Sequence, residues 1–139
     1  MNFRALLKEY SIVIMRNDKV IFKSKDSGIA PLLEAIESIS VEKLRETYVA
    51  DKIVGKAAAL LFALFKPRYI FSITISKPAI DVLKRNDIEF DYDNLVDHIL
   101  NRNKTDLCPF EKAVLKINDP AEAYRAIKET LEKLKRSHM

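Results

Sequence analysis

Residues 68–76 read RYIFSITIS, a run in which aromatic and β-branched side chains dominate. Such residues favour a pleated strand. Apolar residues do not alternate cleanly with polar ones, so both faces of the strand are expected to be covered. That makes it the expected central strand of a sheet with helices on its two sides. Upstream, DKIVGKAAALLFALF (51–65) reads as a helix, apolar all round in its second half and ended by Lys66-Pro67. Asp51 is the expected N-cap. RETYVA (45–50) before it reads as a strand. Downstream, Ser76 is expected to cap a helix, KPAIDVLKRN (77–86), with Pro78 in its first turn, where a missing N–H costs little.

The same reading extends to both ends. IEFDY (88–92) is an expected strand, NLVDHIL (94–100) a helix, NRNKTDL (101–107) a polar loop and CPFEKAVLK (108–116) a helix. Asp119, Pro120 and Glu122 mark the start of the last helix as N-cap, N1 and N3. Tyr124, Ile127, Leu131 and Leu134 form its apolar stripe, which can dock on its own domain or on a partner. Near the N-terminus, FRALLKE (3–9) is an expected helix, and residues 11–16 and 19–24 form a β-hairpin around Asn17-Asp18. Ser27-Gly28 opens a helix with Leu32, Leu33, Ile36 and Ile39 at helical spacing. Helices and strands alternating after a hairpin predict one α/β domain over residues 1–139. Its expected form is a three-layer α/β/α stack around a mixed sheet of about five strands.

Composition narrows the function. The 139 residues are 48% apolar and 32% charged, as in soluble globular domains. With 2 glycines, Walker and dinucleotide loops are absent. The net charge of +4 forms no dense basic stripe, so a nucleic-acid partner is not indicated. The single cysteine and the lack of a signal-like N-terminus lead to an expected cytoplasmic location. The longest apolar run, AAALLFALF (57–65), is too short to span a bilayer, so no membrane partner is expected.

Two places carry candidate chemistry. The first is VADKIVGK (49–56). A helix start there would put Lys52 and Lys56 four apart on one face beside Gly55, which is the makings of an anion site. The plain alternative is an ordinary N-cap with two solvated lysines. The second is TDLCPFEKAV (105–114), with Pro109 at N1 and Glu111 at N3 of a helix that Cys108 caps. Sulfur is a weak acceptor and a poor cap. A thiol at a helix start is drawn toward the nucleophilic thiolate. The plain alternative is a small buried residue. His98 and His138 are the only other soft ligands, too few for zinc, so no metal or other cofactor is expected.

SGIAPLLEAI (27–36), VADKIVGKAAALL (49–61) and NRNKTDLCPFEKAV (101–114) together resemble an uncharacterised domain-of-unknown-function family with a cytidine-deaminase-like fold. The resemblance runs from the hairpin to the last helix and implies a structural relative of the zinc deaminases without an established activity. The deaminase signature is H-x-E at one helix start and P-C-x-x-C at the next. The first matches V-A-D, so Val49 stands for the histidine ligand and Asp51 for the acid/base. The second falls on P-A-I-D-V, with Ala79 and Val82 in place of both cysteines. In the third motif Asn101, Arg102, Thr105, Cys108, Pro109 and Glu111 match, whereas Asn103, Lys104 and Asp106 replace a glycine-rich stretch.

The resemblance implies a metal-free pocket for a small anionic ligand such as a nucleotide or phosphorylated metabolite. Lys52, Lys56, Asn101, Arg102, Thr105 and Glu111 would bind it, with Cys108 as nucleophile and Asp51 as base or orienter. The alternative is a ligand-binding or regulatory module without chemistry. A third reading is an interaction protein acting as a homo-oligomer.

Overall fold

The computed structural model describes residues 2–137. Its elements are α1 (Phe3–Glu9), β1 (Ile12–Arg16), β2 (Lys19–Ser24), α2 (Ala30–Ile39), α3 (Val41–Leu44), β3 (Tyr48–Val54), α4 (Lys56–Phe65), β4 (Tyr69–Ser76), α5 (Lys77–Arg85), β5 (Glu89–Val96), α6 (Pro109–Ala113) and α7 (Pro120–Ser137). One five-stranded sheet runs in the order β2-β1-β3-β4-β5. β1 is antiparallel to β2 and β3, while β3, β4 and β5 are parallel. Asn17 and Asp18 both take positive φ, 50° and 65°, at the hairpin turn. Polar Asn and Asp tolerate that region, so the turn forms without glycine.

The sheet is covered on both faces, as a three-layer stack requires. On one face Ile12, Ile14, Val49, Val54, Ile70 and Ile75 meet α2, α4, α5 and α7 in the main core. On the other, Ala50 and Phe71 are covered by Leu7 and Phe3 of α1. The layers are therefore unequal, several helices against one of 7 residues. The parallel units β3–α4–β4 and β4–α5–β5 step the same way across the sheet. Right-handed crossovers then place α4 and α5 on the same face. The stripe of α7 docks on its own domain, with Ala123 and Ile127 buried and Tyr124 and Leu131 against the core.

Two expectations need correction, and one element was not foreseen. β3 runs to Val54, so Asp51 and Lys52 lie within a strand, and Gly55 is the N-cap of α4. Pairing of Ile53 with Thr74 and Val54 with Ile75 continues the ladder past the expected helix start. Lys52 and Lys56 consequently share no helix face. Residues 94–96 extend β5 rather than opening a helix, because β4 offers partners as far as Ser76. The short α3, capped by Ser40 on the Lys43 N–H, was not expected.

Candidate functional site

The carboxyl ends of parallel strands are where ligands collect in open α/β sheets. Here that end is built from Gly55 and the first turn of α4, joined by α6. Glu111 of α6 is buried, at 7% exposure. Its Oε1 accepts from the Lys56 N–H at 2.8 Å and its Oε2 from the Ala57 N–H at 2.8 Å. A carboxylate held by two N–H groups at a helix N-terminus meets both the orphan donors and the positive end of the dipole. The expected anion position is thus filled by a side chain of the protein itself.

Gly55 makes this approach feasible. A Cβ built on it would lie 2.5 Å from Glu111 Oε1, 2.7 Å from Glu111 Cδ and 2.8 Å from Ile99 Cγ1. Its φ of −99° is open to any residue, so the need for glycine is steric. Gly55→Ala is expected to lower stability by about 2 kcal/mol through overpacking. A double-mutant cycle with Glu111→Ala, read by thermal unfolding, should recover part of that loss, because one clashing partner is gone.

Lys56 is also committed. Its Nζ donates to the Leu115 carbonyl at 3.0 Å, just past α6. Burial lowers its pKa from the usual value, Arg85 pushes the same way, and the Glu111 charge opposes both. Burial raises the Glu111 carboxyl, opposed by the Ala57 and Lys56 N–H groups and by the Lys56 charge.

Asp51 is half-buried in mid-strand, beside Ile12 on β1 and Ser72 on β4. Burial pushes its carboxyl from 3.8 up to about 8, against a hydrogen bond from the Ile53 backbone. Lys52 is exposed, with its N–H on the Ser11 carbonyl.

The third motif folds into a closed loop. Leu100 and Leu107 bridge in antiparallel fashion. Asn101 Nδ2 donates to Thr105 Oγ1 at 3.2 Å, and the Thr105 N–H returns to Asn101 Oδ1 at 3.0 Å. Asn101 and Thr105 therefore spend their polar groups on each other, and Lys112 pairs with Asp106. Arg102 is exposed. Cys108 is the N-cap of α6 as expected, partly exposed, with no side-chain capping bond and its N–H on the Ile99 carbonyl. Cys108→Ser supplies a proper acceptor there and is expected to raise stability by about 0.5–1 kcal/mol, measured by denaturant melts.

Among the described residues no hydrogen bond joins Asp51 to Cys108, and no cluster of three His, Cys, Asp or Glu comes together. His138 lies outside the described residues. What the sequence reading missed is the partnership of Gly55 with Glu111. The signals were a glycine before an apolar helix and an acidic residue at N3 of a poorly capped one, 56 positions apart.

No curated protein matches the chain. The crystal structure of a DUF1893 family protein (TM1506) from Thermotoga maritima superposes with a TM-score of 0.78 at 34% identity, covering 94% of this chain and 88% of that one. No helix among the described residues is long and apolar enough to cross a membrane. The model of the TM1506 family, a domain of unknown function (DUF1893), matches residues 4–131, and the chain belongs to that family.

Proposed function

We propose that this is a deaminase-like domain without deaminase chemistry, a non-catalytic module that binds a small molecule or regulates a partner. The observation that carries the reading is the Glu111 carboxylate seated on the first turn of α4. A deaminase places H-x-E at that helix start and P-C-x-x-C at the next. The observed starts read Gly55-Lys56-Ala57 at α4 and Pro78-Ala79-Ile80-Asp81-Val82 at α5. Val49, the residue matched to the histidine by sequence, is buried in the core, as are Ala79 and Val82. None of these side chains can ligate zinc, so the residues do not fit the metal. A carboxylate does stand at the α4 start, but each of its oxygens accepts a backbone N–H, so it serves as the cap of that helix.

The test is a thermal-shift screen of metabolites on the wild type, Cys108→Ser and the alkylated protein. Stabilisation by the same compounds in all three supports a module without cysteine chemistry. A compound that stabilises the wild type alone, or that leaves a covalent adduct on Cys108, overturns it.

A further inference from the structure

The sheet ends in two open edges. β2 and β5 are its outer strands, and neither makes a backbone hydrogen bond on its outward side among the described residues. An unpaired edge is a template for another strand, and native proteins commonly guard it with charge. Here the two guards have opposite sign. β2 and the residue after it carry Lys19, Lys23 and Lys25 and no acid. All three are exposed, and none makes an ion pair among the described residues. β5 carries Glu89, Asp91 and Asp93 and no base. Arg4 matches Asp93, which leaves Glu89 and Asp91 unbalanced. The Tyr69 hydroxyl occupies only Oδ2 of Asp91.

The two edges also match in register. One row of paired residues runs from Lys23 through Val13, Ala50 and Phe71 to Asp91. The next runs from Phe22 through Ile14, Val49 and Ile70 to Phe90. Residues of one row share a face of the sheet. Lys23 and Asp91 therefore stand on the α1 side with Ala50 and Phe71, and Phe22 and Phe90 on the side of the main core. β2 is antiparallel to β1, and β1 to β3, so β2 runs parallel to β5. A second copy set beside the first, without being turned over, continues both rows. Its Lys23 adjoins Asp91, and its Phe22 adjoins Phe90, on which Tyr92 already stacks at 6.3 Å. Pairing two like edges would instead bring lysines or carboxylates together, which is unfavourable.

We infer that the chain self-associates head to tail, the β5 edge of one copy pairing in parallel with the β2 edge of the next. The contact is heterologous, so every open assembly keeps one free edge of each sign and grows until it closes on itself. A contact of one strand on one strand is small, and the association is weak and tightest at low salt. Glu111 takes no part in it, so the inference does not rest on the reading of the α4 start.

Sedimentation velocity of the full-length protein, from about 10 μM to about 1 mM and at about 20 mM and 500 mM NaCl, reads the association. Dimers and longer species are expected to grow with concentration at low salt and to fade at high salt. Lys23→Glu and Asp91→Lys lie at exposed edge positions. Each should weaken association at least about tenfold with the far-ultraviolet circular dichroism unchanged. An equimolar mixture of the two variants should associate again, since the acidic β5 of the Lys23→Glu chain meets the unaltered β2 of the Asp91→Lys chain. Mixing would not rescue a loss that came from damaged folding. A monomer at about 1 mM in low salt, association unmoved by either reversal, or a mixture no better than its parts overturns the inference.

Discussion

Glu111→Ala lowers stability by about 3 kcal/mol, roughly 10 °C in melting temperature for a chain of this length. The variant leaves two N–H groups at the α4 start without their acceptor, and the Ala57 N–H is buried. Stranding a buried donor costs about 1–3 kcal/mol. The first turn of α4 also loses the negative charge that meets its dipole. Glu111→Gln separates shape from charge. It keeps one carbonyl acceptor but turns an NH2 group toward the other backbone donor, so it should lose about 2 kcal/mol despite equal size. A surface glutamate would show less than about 0.5 kcal/mol for either change, so a near-silent pair of variants removes the cap from the account. Since α4 contributes Leu60, Leu61, Phe62 and Phe65 to the main core, its first turn is coupled to the whole fold.

The second large effect is Asp51→Asn, and it depends on pH. The folded carboxyl of Asp51 is raised from 3.8 to about 8. A raised acid binds its proton more tightly in the folded state. Its stabilising share is therefore complete below about pH 4 and is lost as pH climbs toward 8. The steepest permitted slope is about 1.4 kcal/mol per pH unit. A half-buried group admits some water, so a total loss of about 2–3 kcal/mol across that window is expected. Asparagine mimics the protonated acid and cannot ionise. Asp51→Asn should then match the wild type near pH 4 and exceed it by about 2 kcal/mol at pH 8, measured by urea melts at each pH. Glu111 titrates with the same sign, so a residual fall in the variant belongs to it. The lowered carboxyls of Asp93, Asp97, Asp106 and Glu37 work in the other direction and at lower pH. A variant less stable than wild type at pH 8 would show that Asp51 is ionised there and held by a partner.

Local patterns carried much of the fold. β4 and the α5 start were legible because β-branched runs and a Ser cap followed by proline act within a few residues. The same holds for α7, where the Glu122 N–H donates to Asp119 at 2.9 Å. The α4 start was not, because two local signals compete in DKIVGK (51–56). Aspartate reads as a cap, but Ile53 and Val54 gain more from strand pairing with β4 than from a helix turn. The cap then comes from Glu111, which no local window contains. The end of β5 failed likewise, since Leu95 and Val96 have helical spacing to later residues but find Ile75 and Ser76 as ladder partners. For the site, Lys56 and Glu111 meet at the α4 start, whereas Asn101 and Thr105 pair within their own loop and Asp51 and Lys52 lie in β3. Their roles differ from the expectation, because Asn101, Thr105, Lys56 and Glu111 direct their polar groups at the protein rather than outward.

The amide signals of Lys56 and Ala57 test the closed site most directly. With 15N-labelled wild type, both should move together as a single carboxyl titrates above the ordinary glutamate range. Neither should respond to inorganic phosphate, and the titration should vanish in Glu111→Ala. Saturable shifts of these two amides with phosphate in the wild type would show that the α4 start is open to outside anions, and would contradict the account.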